Sequence, residues 1–330
     1  MVTLKDIAQH VGISVSATSM ALRDHASIGT ETKQRVREAK KRLGYRARSR
    51  PTGNIAFVLF DREFDLVFDA RFFQCISELA LRRNRQPFFL TLERAAFLAG
   101  TLPPVLQKRG VDGIIVSGVY DEAIHRKFHD AEIPVVVLGN YEVGDEPAAS
   151  CEVDIVGGIA LIVRSLAELG HRRIGLLLKT PPTSAYGKQI REAFGRALAR
   201  YGLESGGVVR EAPASIPEEA AISEGFYTLM QSPSRPTAII SEEVTLATYD
   251  SCAALGLSIP GDVSVVSLTR SPEWLRPTPV MLESDPEEWL RGAYEKLERL
   301  IEAPHSALTR EIFPMRLAPG NSIGPARSLN

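Results

Sequence analysis

The apolar positions of the first 45 residues recur at helical spacing, in three short groups separated by breaks. Ile7, Ala8 and Val11 share one face of a first segment, and Gly12 then permits a tight turn. Thr18, Ala21 and Leu22 form a second inward face, and Val36, Ala39 and Leu43 a third within residues 30–43. Start signals agree with this division. Thr3 with Asp6 has the spacing of a capping box, and Ser14 is a favourable N-cap for the second helix. Three compact helices are predicted, and this spacing of two short helices around a sharp turn is that of a helix-turn-helix. From Ile55 the pattern changes. Short apolar runs (IAFVLF, PFFLTL, DGIIVSG, IPVVVLG) alternate with amphipathic stretches (FFQCISELALRR, LAGTLPPVLQKRG, AIHRKFHD). A second set follows, with GIALIVRSLAELG before RRIGLLL, QIREAFGRALARYG before VVREA, EEAAISEGFYTLMQ before PTAIIS, and LATYDSCAALG before DVSVVSL. Such alternation predicts parallel, doubly wound sheets in two similar α/β halves with a cleft between them.

Charge sharpens the division into a head and a body. Residues 1–50 carry 11 Lys and Arg against 4 Asp and Glu, a net of +7, while the other 280 residues of the 330 carry 28 against 36, a net of −8. A basic, DNA-facing head on an acidic body is the implied arrangement. The three cysteines, Cys75, Cys151 and Cys252, are odd in number and far apart, as expected of reduced thiols rather than a disulfide frame or a zinc site. No secretory signal opens the chain and no apolar run approaches the roughly 20 residues of a membrane span, so a cytoplasmic protein with no membrane partner is expected.

With Thr18, Ala21 and Leu22 inward, the second helix turns Val15, Ser16, Ser19, Met20 and Arg23 outward, where a major groove could receive them. Val15, Ser16 and Met20 are the candidate base readers. Thr3, Ser14, Ser19 and the third helix, Lys33 in particular, are the candidate phosphate contacts. Residue by residue the segments TLKDIAQHVGIS and TETKQRV..AKKRLGY, with Ser19 between them, resemble the head of the lactose-repressor (LacI-type) family of bacterial transcription regulators. The resemblance implies a homodimer on a near-palindromic operator, with dimerisation through the body. Relatives place a polar or basic residue where Met20 stands; apolar Val15 and Met20 suit thymine methyls and cannot make the bidentate bonds that recognise guanine.

The domains read from the sequence are a head at 1–45, a short basic linker at 46–54 and a body at 55–330. Pro51 and Gly53 argue for an extended arm. Family members carry a longer link that folds into a hinge helix with a minor-groove leucine, and neither is present here. Arg46, Arg48 and Arg50 are candidates for phosphate or minor-groove contact, with a plain flexible tether as the alternative.

The body resembles the periplasmic-binding-protein-like (type I) effector domain of the same family, on VDGIIVSG (111–118), IPVVVLG (133–139), residues 153–178, PTAIIS (236–241) and GLSIPGDVSVVS (256–267). It implies three crossings between the halves, near 153, 283 and 313, and an effector in the interdomain cleft. Phe73, beside Phe72, resembles an aromatic position that stacks on ligand, with a core role for either as the alternative, and Asp154 an acidic position at the pocket mouth. The family's clamping arginine aligns with Ile190, leaving Lys188 and Arg191 as shifted cations. An Asn-Asp pair aligns with Glu243 and Val244, with Glu242 as a replacement carboxylate, and a later Asp aligns with Thr269, next to Arg270. The set of sugar-binding groups is altered, and Arg270 in place of a carboxylate suits a sugar acid or sugar phosphate; a pocket that binds nothing is the alternative.

His125 and His129 stand four apart but lack the HExxH pattern and a third ligand, so a solvated helix face is the expectation. No GxSxG, P-loop or GxGxxG occurs, and no carboxylate pair is matched to a nucleophile. The expected protein is a DNA-binding transcription regulator, a repressor by preference, with no cofactor, metal or enzymatic activity. The competing class is a soluble sugar-binding or sensing protein with a vestigial head.

Overall fold

The computed structural model describes residues 3–43, 52–61, 66–107, 110–118, 120–141, 148–180, 184–209, 218–269, 271–272, 274–303 and 306–327. The candidate residues Arg46, Arg48, Arg50 and Arg270 lie outside them. Two compact units form, Met1–Thr52 and Gly53–Asn330.

The first unit holds α1 (Leu4–Val11), α2 (Val15–Leu22) and α3 (Thr30–Leu43). Gly12, at φ 75°, closes α1 in the left-handed region that an L side chain resists. Ile7, Val11, Ala21, Val36 and Ala39 make the core, with Leu4, Ile13, Leu22, Ile28 and Leu43 packed around it. Thr18 is also buried, its hydroxyl donating to the Ser14 carbonyl at 3.0 Å, so the polar group enters the core without losing a partner.

The second unit contains two six-stranded sheets. The first is parallel throughout, in the order β11-β5-β4-β3-β1-β2, from β1 (Asn54–Phe60), β2 (Gln86–Leu92), β3 (Gly113–Gly118), β4 (Val135–Leu138), β5 (Ala149–Val153) and β11 (Arg310–Phe313). The second has the order β12-β10-β9-β8-β6-β7, from β6 (Arg173–Leu177), β7 (Glu204–Val209), β8 (Ala238–Ser241), β9 (Ser264–Ser267), β10 (Val280–Glu283) and β12 (Arg316–Ala318), with β12 alone antiparallel.

Alternate residues of β1 serve opposite faces. Ile55, Phe57 and Leu59 pack with α4 (Leu66–Arg82) and α11 (Pro286–Glu302), while Ala56, Val58 and Phe60 pack with α5 (Arg94–Ala99) and α6 (Glu122–Asp130). That two-sided cover is why such strands read as unbroken apolar runs. The second sheet repeats the plan: α7 (Ile155–Glu168) and α8 (Ala185–Tyr201) cover one face, and α9 (Glu218–Met230) and α10 (Leu246–Ala254) the other. The chain passes from the first sheet to the second after Val153, returns after Glu283, and leaves again after Phe313.

One element differs from expectation. The helix anticipated over LAGTLPPVLQKRG sits earlier, at Arg94–Ala99, because Pro103 and Pro104 each lack the N–H that a continuing helix needs.

Candidate functional sites

In the head, Ser14 caps α2, its Oγ accepting from the Ala17 N–H at 3.1 Å. The serine keeps its own hydrogen for an outside acceptor. Thr3 does not: its hydroxyl donates to Asp6 Oδ2 at 2.8 Å and its N–H to the same oxygen at 2.6 Å. Those bonds, the backbone one first, hold the Asp6 carboxyl below its ordinary value. Thr3 therefore has no hydroxyl hydrogen left for a phosphate. Val15, Ser19 and Arg23 fall on one stripe of α2; Val15 is 44% exposed, and Arg23 lies back along the helix with Nη2 donating to Ser19 Oγ at 3.0 Å. Ser16 is exposed and Met20 half-buried, its sulfur 4.0 Å from Ser27 Oγ in the turn after α2.

Lys33 is engaged within the head. Its ammonium, expected on phosphate, lies 3.2 Å from Asp24 Oδ1 and donates to the Asp24 carbonyl at 3.2 Å. Asp24 adopts the left-handed backbone at φ 58°, which points the end of α2 back at α3. Arg35 is likewise turned inward, donating to the Val11 carbonyl at 2.9 Å, where it satisfies a free carbonyl at the end of α1.

In the body, the C-terminal ends of β6, β8 and β9 bring together several groups. Glu242 is buried and accepts at Oε2 from the backbone N–H of Lys179 (3.0 Å) and Thr180 (2.8 Å), and at Oε1 from the Thr180 hydroxyl. The carbonyl of Glu242 accepts from Thr269 Oγ1 at 2.8 Å. Both residues, expected as ligand contacts, thus stitch three strand-end loops together. Glu243 pairs with Lys179, Nζ to Oε2 at 2.5 Å. Thr245 Oγ1 and Ser271 Oγ in these same loops are buried without a partner among the described residues.

Other expectations fall differently. Phe72 is 2% exposed and packs edge-on against Trp289 with centroids 5.6 Å apart, and Phe73 stacks on Phe89 of β2; Phe72 belongs to the core and offers no surface to a ligand. The spacing of Phe72, Ile76 and Ala80 along α4, each buried, was the signal for that. Asp154 caps α7 through the Gly157 N–H at 2.8 Å. Ile190 is wholly buried in the core of the second sheet, Lys188 is exposed, and Arg191 is half-buried with Nε lacking a partner. Three residues apart on α8, Lys188 and Arg191 are helix neighbours that differ in exposure.

Sequence reasoning missed the residues that join the two halves. Asn140 donates to the Val153 carbonyl at 2.8 Å, accepts from its N–H at 3.1 Å, and reaches Gln189 Oε1 at 3.4 Å. It ties the loop after β4 to the first crossing and to α8. Tyr141 accepts from the Gly118 N–H at 3.0 Å. Tyr186 on α8 has its hydroxyl held above the ordinary value by burial, with Glu242 and Tyr141 adding to the effect. Their one sequence signal was position, directly after the strand ends of IPVVVLG and ahead of QIREAFGRALARYG.

The family model for bacterial regulatory proteins of the lacI family matches residues 3–47, and that for a periplasmic binding protein-like domain matches residues 163–323. The head carries the lacI-family match and the body that of the binding-protein-like domain, and the chain is similar to LacI-family regulators. Among its LacI-family relatives, the HTH-type transcriptional regulator reg1 of Streptomyces lividans is 29% identical over 289 residues, covering 82% of this chain and 81% of that protein. The HTH-type transcriptional repressor PurR of Photorhabdus laumondii is 25% identical, covering 98% and 97%. Two solved structures share the fold over 98% of this chain. One is a transcriptional regulator CelR–cellobiose complex (TM-score 0.70, 21% identity, 100% of that chain), the other the lac repressor dimer bound to operator and the anti-inducer ONPF (0.67, 19%, 99%). The chain is a DNA-binding transcription regulator, and a match along the whole head leaves no support for a vestigial one.

Proposed function

We propose that this LacI-type regulator acts as a cytoplasmic homodimeric repressor, without enzymatic activity, holding operator DNA with α2 of each head and responding to a small carbohydrate-like effector in the cleft of the body. The observation that carries the reading is α2 itself. It buries Thr18 and Ala21 and leaves Val15 and Ser16 in solvent, beside Ser14 with a hydrogen still to donate. Val15, Ser16 and Met20 read bases, with thymine methyls as the apolar targets, and Ser14, Ser19 and Arg23 meet phosphate. Arg46, Arg48 and Arg50 are proposed to track the backbone beside them. The relatives' repressor and cellobiose-complex descriptions support the mode and the effector class.

The effector is assigned to the strand-end loops of the second sheet, where Thr245 Oγ1 and Ser271 Oγ, and Arg191 Nε on α8, are buried without a partner among the described residues. An anionic member of the sugar class would satisfy that cation, with Arg270 assisting. The decisive experiment is binding of the full chain to a fragment of its own promoter region against random duplex, over a salt series. Tight, salt-sensitive preference for the promoter fragment is expected; equal affinity for both duplexes removes the proposal. Thermal shift with neutral sugars, sugar acids and sugar phosphates then assigns the effector.

A further inference from the structure

Asp24 occupies an unusual place for a carboxylate in a head of net positive charge. It follows Arg23 at the end of α2, and the turn it begins lies against the outward face of that helix, since the His25 N–H donates to the Met20 carbonyl at 3.0 Å and Ser27 Oγ stands 4.0 Å from the Met20 sulfur. Its Oδ1 lies 3.2 Å from Lys33 Nζ and 3.1 Å from Arg37 Nη2. The Asp24 side chain is 67% exposed and that of Arg37 62%, so solvent screening leaves their pairing little to contribute to folding. No other carboxylate of the head makes an ion pair among the described residues. What the arrangement does is hold two cations on a carboxylate beside the base-reading helix.

We propose that Asp24 is an affinity-limiting residue: it competes with DNA phosphates for Lys33 and Arg37 and so restrains sequence-independent binding. The inference rests on the DNA-binding reading of α2. Sequence-independent affinity comes from counterions released as cations meet phosphates, so cations held by an internal carboxylate release fewer. Binding to random duplex is governed by that term alone, whereas operator binding also draws on base contacts, so the carboxylate widens the gap between the two.

The test is Asp24→Asn in the full chain, since asparagine accepts the left-handed backbone and removes only the charge. Affinity for random duplex is measured over a salt series, with far-ultraviolet circular dichroism confirming the helices. Freeing two cations steepens the salt slope by up to about 1.8 per head, so the variant loses about tenfold more affinity than wild type between 50 and 200 mM salt. Random-duplex affinity at low salt rises, and operator affinity rises less. Adding Arg37→Gln returns about half of the gain. Glu31→Gln, which removes a carboxylate that no cation among the described residues pairs with, changes the slope by less than Asp24→Asn. An unchanged or shallower slope for Asp24→Asn, or an equal effect from Glu31→Gln, overturns the proposal. A wild-type chain with no salt-dependent binding overturns instead the DNA-binding reading beneath it.

Discussion

Glu242 distinguishes a carboxylate that binds effector from one that builds the cleft. Glu242→Ala removes an acceptor from two backbone N–H groups and one hydroxyl, around a residue that is 5% exposed. A buried donor left without a partner costs about 1–3 kcal/mol, and water admitted to the vacated volume recovers part of that. A net loss of about 2–4 kcal/mol follows for three donors that share one small site. For a domain of this size each kcal/mol moves Tm by about 2–4 °C, so the variant melts roughly 4–16 °C lower. Glu242→Gln keeps one oxygen for the two N–H groups and lets the Thr180 hydroxyl turn to accept from the new amide. It loses only the charge assistance, about 1 kcal/mol. Differential scanning fluorimetry of the full chain without effector reads both. If the alanine variant melts with wild type while losing effector response, Glu242 is a ligand acceptor and the structural assignment fails.

Ser14→Ala removes the cap of α2 and should cost the head about 1 kcal/mol with a fall in operator affinity. Ser14→Asp keeps the cap and the fold but weakens DNA binding by placing a carboxylate near phosphate; DNA titration beside circular dichroism separates the two effects. His171 is held below its ordinary pKa of 6.5 by burial, against a Gly324 carbonyl bond that opposes the shift. Folding therefore favours the neutral ring, the contribution is complete above about pH 6.5, and it is lost as pH falls below that toward the folded value. Melting from pH 8 to pH 5 should decline below about 6.5, and His171→Gln should flatten the decline; an equal decline in the variant counts against the histidine. Asn140→Ala cuts the tie between the β4 loop, the first crossing and α8, and should alter effector affinity while leaving the salt slope of DNA binding unchanged. Cys151 and Cys252, whose thiols burial pushes up to about 12, should resist alkylation at pH 8 until the protein is denatured.

What the sequence determined by itself is what short-range chemistry controls. Helical spacing, the Thr3–Asp6 capping box, the Ser14 cap and Gly12 specify the three helices of the head, because each acts within four residues along the chain. Alternating apolar runs and amphipathic stretches likewise specify covered parallel sheets, because burial on both faces leaves a mark in every strand. The partners of the charged and polar side chains were decided only in three dimensions. Lys33 read as a phosphate contact until Asp24, nine residues away, claimed it; Glu242 read as a ligand acceptor until the loop after β6, 62 residues earlier at Thr180, closed on it. Phe72, beside the expected stacking position at Phe73, had a core role open to it as well, and Trp289 from a returning helix supplies that role. Hydrogen bonds and ion pairs act over a few ångströms of space between residues far apart in sequence, so the groups available to DNA and to an effector are those that tertiary packing leaves unclaimed.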